Sequence, residues 1–311
     1  MKVAITGAGG FVGWHLSRLL LEQGHDVSGL DYSADVIAPG VRAIAGDLGD
    51  KAARKALLDG GCDALVHLAT VPGGAAEASP ADSRRINIDA MYDLLEEVAA
   101  QGNMQGACPR VVYASSIAVL GDPLPVSGVD DSTPLSPRMI YGGHKAMMET
   151  AVAMMSNRAM IDGVTIRLPG ILARPKGPSG MKSAFMSDLF HALRAGESFT
   201  CPTSAGATIW AQSVARCAFN FAHGLSMDSS ALPPTRAVTL PAQRIAMGDL
   251  ATEISRQCNV SPDLVDYAPD AELEAAFGAY PPLKTQAADK AGFAHDGNLA
   301  NLVESALKTL R

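Results

Sequence analysis

Residues 6–13 read Thr-Gly-Ala-Gly-Gly-Phe-Val-Gly. They stand between a short β-rich run, Lys2–Thr6, and a helical stripe over Phe11–Gln23 whose apolar residues are Val12, Leu16, Leu19 and Leu20, ended by Gly24. Few architectures place a glycine loop there. The backbone must turn tightly and come close to something, and the helix that follows points its unpaired N–H groups at it. The alternation then continues. Val27–Asp31, Val41–Ala45, Ala64–Ala69, Arg110–Ser116 and Val164–Leu168 read as further strands, and Lys51–Asp59, Ala81–Gln101 and Arg138–Asn157 as helices. Strand and helix at this spacing predict an α/β fold, a doubly wound parallel sheet with helices on both faces. After about residue 170 the alternation loosens, which predicts a smaller mixed lobe over 171–311, mainly substrate-binding, from which the chain can return to the sheet.

In such sheets the ligand lies outside the carboxyl ends of the strands. The glycine loop then reads as a dinucleotide loop, and residues 1–170 as a Rossmann domain. Gly7, Gly10, Phe11, Val12 and Gly13 are the expected pyrophosphate contacts. Asp31 closes the next strand 18 residues after Gly13. A carboxylate there accepts both hydrogen bonds of an adenosine ribose diol and repels a 2′-phosphate by a few kcal/mol. No Lys or Arg lies between Asp31 and Gly40 to offset that repulsion. The expected cofactor is NAD. Asp47 and Leu48, after the third strand, are placed to border the adenine. Leu68, Ala69 and Thr70, after the fourth, line the nicotinamide side.

Tyr141 and Lys145 are at i and i+4 at the start of a helix, so their side chains share a face. A phenol titrates near 10, too high for a base at neutral pH. A neighbouring ammonium or a cationic nicotinamide ring favours the phenolate. The phenol can then exchange a proton with a substrate hydroxyl or carbonyl while hydride moves. Upstream, Tyr113-Ala114-Ser115-Ser116 ends a strand, and a serine hydroxyl there can hold the same substrate oxygen.

Together these residues resemble the extended short-chain dehydrogenase/reductases, of the NAD-dependent epimerase/dehydratase type. The matching elements are Thr6–Gly13, Asp31, Asp47-Leu48, His67-Leu68-Ala69, Ser115-Ser116-Ile117-Ala118-Val119, Tyr141/Lys145 and, late in the chain, Lys290-Ala291-Gly292-Phe293. The resemblance implies that Ser116, 25 residues before Tyr141, is the catalytic serine, with Ser115 its backup. It implies that Asn87 lies near the active site and that Pro169, Gly170 and Ile171 pack on the nicotinamide. It also implies a homodimer formed through two long helices, Ala81–Gln101 and Arg138–Asn157.

Two departures bear on the substrate. Relatives that act on nucleotide sugars usually carry Asn where this chain has Arg167-Leu168-Pro169-Gly170, and a charged pair where it has Thr208-Ile209-Trp210. Leu120 also replaces an aromatic before Gly121. In their place, Thr70-Val71-Pro72-Gly73-Gly74, residues 167–175 and residues 178–186 resemble the branch that oxidises the 2-hydroxyl of a small sugar acid, D-erythronate-like, to the 2-keto acid. A carboxylate substrate needs a cation or hydroxyl cluster. The segment Arg174–Lys182 packs three cations into nine residues, and it offers Arg174, Ser179 and Lys182. Either Arg174 or Lys182 is expected to hold the carboxylate, with Thr70, Ser116 and Tyr141 completing the substrate site. The alternatives are a nucleotide-sugar epimerase or dehydratase that keeps its NAD through the cycle, and an NAD-sensing regulator without turnover.

The remaining composition narrows the setting. The net charge of −7 disfavours a nucleic-acid footprint, which needs clustered Lys and Arg. Five scattered cysteines without a CxxC suggest buried thiols in a reducing compartment, neither a disulfide framework nor a metal site. No apolar run is long enough to span a membrane, and Met1 runs straight into a strand pattern. The expectation is a cytoplasmic protein. His67 is expected to pack in the core and His144 to face solvent. Met147, Met148, Met154 and Met155 are expected to fill the core or a subunit seam, and Cys201 and Cys217 have no nucleophilic role.

Overall fold

Val3, Ala4 and Ile5, then Ala64, Leu65 and Val66, are each at most 2% exposed, so their strands are covered on both faces. Short apolar runs of that kind are what a parallel sheet sandwiched by helices requires. The computed structural model describes residues 1–121, 123–177 and 182–310. Its strands are β1 (Lys2–Thr6), β2 (Asp26–Asp31), β3 (Arg42–Ala45), β4 (Ala64–His67), β5 (Arg110–Ser116), β6 (Asp162–Leu168), β7 (Gly170–Ile171), β8 (Phe199–Cys201), β9 (Thr208–Gln212), β10 (Ala237–Thr239), β11 (Gln243–Ala246) and β12 (Val265–Tyr267).

Seven strands form one parallel sheet in the order β10-β6-β5-β4-β1-β2-β3. The order reverses between β1 and β4, and this switch point opens the crevice at their carboxyl ends. On one face the helices Phe11–Glu22 and Val214–Ser226 bury Leu16, Leu20, Cys217 and Phe221. On the other, Lys51–Leu58, Met91–Gln105 and Ile140–Asn157 bury Leu57, Leu94, Val98, Met148 and Val152. Met148 and Met155 thus fill the core, whereas Met147 and Met154 are exposed.

Asp50 caps the Lys51–Leu58 helix through Ala52 N, and Ser213 caps Val214–Ser226 through Arg216 N. Beyond β6 the chain builds two small sheets, β11-β9-β7 and β12-β8, around Phe190, Leu250 and Ile254. It also returns to the large sheet through Val214–Ser226 and β10, and Phe293 packs in the same core.

The expected Ala81–Gln101 helix is interrupted. An α-turn over Pro80–Arg84 leads into a π-helical turn, Arg85–Ala90, before Met91–Gln105. The widened turn carries Asn87, and π turns of this kind cluster at functional sites. Strand β4 stops at His67, short of the expected Ala69, where its partner β1 ends at Thr6 and Ala69 comes up against Gly7 of the glycine loop.

Candidate active site

The glycine loop is tight because two backbones nearly touch. Gly7 has φ +69°, and a Cβ there would meet Ala69 N at 2.8 Å; a Cβ on Gly13 would meet Gly7 O at 2.1 Å. Only glycine lets the helix sit down on the loop and the loop sit against the end of β4. Gly10 is the N-cap of Phe11–Glu22 and offers no side chain to its N–H groups. Those groups are therefore presented to an anion, with the helix dipole behind them.

Asp31, half-buried at the end of β2, accepts from Gly9 N at 2.9 Å and from Tyr32 N at 2.8 Å. The bonds aim its carboxylate across the loop. A glycine cradle, an uncapped helix start and an acid at the end of β2 fit a dinucleotide whose ribose carries no 2′-phosphate.

The third-strand acid is tied differently from the sequence expectation. Asp47 is clamped by Arg85 through two 2.9 Å hydrogen bonds, and the guanidinium holds its carboxyl below the usual range. Leu48 is buried in the core beside Leu57. Phe11, Val12 and Leu68 are partly buried against the sheet, and Ile171 is buried with them. Pro169 is buried between β6 and β7. After β4, Asn87 pins the chain. Its Oδ1 accepts from Val71 N at 2.7 Å and Thr70 Oγ1 at 3.0 Å, and its Nδ2 donates to Val71 O at 3.0 Å and Ser83 Oγ at 3.1 Å.

Tyr141 is the second residue of the Ile140–Asn157 helix and is half-buried at its start. Ser116 stands at the phenol and acts to lower its pKa, and the Ser116 hydroxyl accepts from Ala118 N at 3.1 Å. Burial raises the phenol above its usual value, and Ser116 and the Arg174 guanidinium act against that rise. Arg174, which the sequence placed at the substrate carboxylate, is thus a cation that also acts on the phenol. Lys145 is 3% exposed; its Nζ donates to Ala114 O at 2.8 Å and lies 4.9 Å from the Tyr113 ring centre and 5.6 Å from that of Tyr141. Burial brings its ammonium down to about 7.

Ser115 is turned away from the site, as alternation along a strand requires. Its Oγ donates to Glu149 at 2.5 Å in the interior. His144, expected to face solvent, is partly exposed, with Nδ1 2.9 Å from Ser83 Oγ. His67 is buried against Thr6 Oγ1 at 2.8 Å, and burial lowers it to about 3.

On the substrate side, Arg174 follows β7. Its Nε donates to Ile171 O at 3.1 Å, and its carbonyl accepts from His191 at 2.7 Å. The guanidinium interacts with Tyr141 and with the buried Cys217. Lys182 is exposed and paired with Glu272 on the surface, so it is not brought to Tyr141. Ser179 lies outside the described residues. Among the described residues, no set of His, Cys, Asp or Glu side chains is arranged to hold a metal ion, and no helix is long and apolar enough to cross a membrane.

Sequence reasoning missed the Asp47–Arg85 clamp and a buried pair, Glu149 with Arg167, joined at 2.7 Å. The spacing of Glu149, four residues after Lys145, was the available signal.

Fold and site together define an NAD-dependent oxidoreductase of the extended short-chain dehydrogenase/reductase type. Residues 3–210 match the NAD dependent epimerase/dehydratase family, and the chain belongs to it. It is 33% identical over 295 residues to D-erythronate dehydrogenase of Cupriavidus necator, covering 90% of each chain. It is 30% identical over 263 residues to D-erythronate dehydrogenase of Haemophilus influenzae, covering 82% of each. The crystal structure of a nucleoside-diphosphate-sugar epimerase from Agrobacterium tumefaciens superposes with a TM-score of 0.89 at 26% identity, over 99% of this chain and 94% of that one.

Proposed function

We propose that this chain oxidises the 2-hydroxyl of a small sugar acid, of D-erythronate size and kind, to the 2-keto acid. The observation that carries the reading is the position of Arg174 just after β7, from where its guanidinium acts electrostatically on the Tyr141 phenol. In a 2-hydroxy acid the carboxylate is one bond from the carbinol carbon. A base for the hydroxyl and a cation for the carboxylate must then be neighbours, and the Arg174 guanidinium acts electrostatically on the Tyr141 phenol. The absence of Asn in the Arg167–Gly170 segment and the two D-erythronate dehydrogenase relatives support the same substrate class.

In this reading Arg174 binds the carboxylate through charge-assisted hydrogen bonds. Ser116 and Tyr141 hold the 2-oxygen, and Tyr141 takes the hydroxyl proton as the C2–O bond becomes a carbonyl. Lys145 supports the phenolate from the next turn of the helix. NAD, when bound, supplies the hydride acceptor for the hydrogen on C2. The glycine loop and Asp31 hold its pyrophosphate and adenosine ribose, and Leu68, Ala69, Thr70 and Pro169 line the nicotinamide side, with Asn87 keeping the segment after β4 in place. Asp47, fixed by Arg85, borders the adenine. The enzyme works as a homodimer through the helix face that carries the exposed Met147 and Met154, in the reducing cytoplasm that its free cysteines suit.

The test is a panel of four- to six-carbon sugar acids with NAD and with NADP, read as net NADH or NADPH formation. Net NADH from an aldonate is the expected result. Epimerisation or dehydration of a nucleotide sugar with no net NADH would replace this reading.

A further inference from the structure

Glu149 lies one helical turn beyond Lys145 and is 4% exposed, against 3% for Lys145. A carboxylate at that depth stays charged only if it is paired and hydrogen-bonded. Arg167, on β6 and 8% exposed, supplies the pairing: its Nε donates to the two carboxylate oxygens at 3.0 and 3.2 Å, and its Nη2 donates at 2.7 Å. Ser115 Oγ, from β5, adds a hydrogen bond at 2.5 Å. Three charged side chains, two cationic and one anionic, are thereby shut in behind the helix that begins at Ile140.

What surrounds Lys145 gives Glu149 its importance. From β5 come a backbone carbonyl, Ala114 O, and the face of the Tyr113 ring. From β4 comes His67, which burial keeps neutral. Its own helix contributes the Tyr141 ring and Glu149, and Arg167 of β6 stands behind the Glu149 carboxylate. Among these groups Glu149 carries the negative charge, and it is the charged group that acts to keep the Lys145 proton on.

We propose that Glu149 is a positioning residue for proton transfer. Its carboxylate, locked in place by Arg167 and Ser115, acts against the loss of the Lys145 proton that burial favours, so that Lys145 can support the Tyr141 phenolate around neutral pH. Arg167 and Ser115 aim the carboxylate without touching the reacting atoms. The inference rests on the assignment of Tyr141 and Lys145 as the proton-transfer pair.

A salt bridge that served only the fold would cost stability when broken and would leave the pH profile in place. The test is therefore the pH dependence of kcat for the native enzyme, for Glu149→Gln, and for the double variant Glu149→Gln/Arg167→Leu, with D-erythronate and NAD at saturation. The double variant removes both charges of the pair, so no lone charge is left buried to prevent folding. The expected result is that the alkaline limb of kcat moves down by about one pH unit in Glu149→Gln, a tenfold fall in the protonated fraction of Lys145 along that limb, and moves down by less in the double variant, where loss of the Arg167 cation offsets part of the effect. Folded variants in which neither profile departs from the native shape, with turnover lowered uniformly or unchanged, overturn the proposal. Tyr141→Phe separates this from the underlying assignment: if that variant turns over like the native enzyme, the proton-transfer pair itself is misassigned, whatever Glu149 does.

Discussion

The guanidinium of Arg174 and the phenol of Tyr141 act on each other electrostatically, although they come from different elements, the segment after β7 and the start of the Ile140–Asn157 helix. This relationship joins cofactor chemistry to substrate choice. A cation beside the base suits an anion whose charge is next to the reacting carbon, and its positive potential stands against the protein's overall negative charge.

Arg174 and Lys182 should therefore behave differently when truncated. Arg174→Ala is expected to lower kcat/KM for the sugar acid about a hundredfold or more, chiefly through KM, since removing one partner of a buried charge contact costs about 2–5 kcal/mol. Lys182→Ala, which only frees Glu272 at the surface, should leave KM within about twofold. Steady-state kinetics of the two variants check this, and equal effects would contradict it.

Tyr141→Phe keeps the ring and removes the hydroxyl at which Ser116 stands. Its kcat should fall about 10²- to 10⁴-fold, the usual worth of a positioned acid–base group. NADH binding, followed by fluorescence, should change little.

Asp31→Ala removes the acid that is aimed across the glycine loop by Gly9 and Tyr32. Hydrogen bonds to a charged group are worth about 1.5–3 kcal/mol. The variant should lose about ten- to a hundredfold in kcat/KM with NAD, and the gap to NADP should narrow because the repulsion of a 2′-phosphate is gone. Parallel assays with the two cofactors decide it.

Lys145 gives a stability prediction with a definite sign. Unfolded, it titrates near its ordinary 10.5; folded, near about 7. Between those values the unfolded chain holds more protons than the folded one, so stability contributed by this group rises with pH, by up to about 1.4 kcal/mol per unit. In denaturant titrations of the cofactor-free protein from neutral to alkaline pH, Lys145→Met should flatten that rise and be the more stable form at neutral pH.

The parts of this molecule legible in the sequence were those encoded over short spans. The glycine loop, the buried strands of the large sheet and the Tyr141/Lys145 spacing each lie within one element or one turn. Strand alternation also separates Ser115 from Ser116. The small sheets were not legible, because β7 has two residues and β8 and β12 three each, too few to show a period, and the same shortness hid β10 at the edge of the large sheet. The π turn at Arg85–Ala90 differs from an α-helix by where one residue is accommodated, and apolar spacing does not register that. Arg174 and Tyr141, Asp47 and Arg85, and Glu149 and Arg167 meet only after the sheet has assembled, and no local pattern announces such pairs.

The central claim, that the hydrogen leaving the substrate comes from the carbon next to the carboxylate, has a direct measurement. D-erythronate carrying deuterium at C2 is incubated with the enzyme and NAD, and the reduced cofactor and the product are analysed by mass spectrometry. The account predicts one deuterium in NADH for each 2-keto acid formed. Deuterium retained at C2 of the product, with unlabelled NADH, would contradict it.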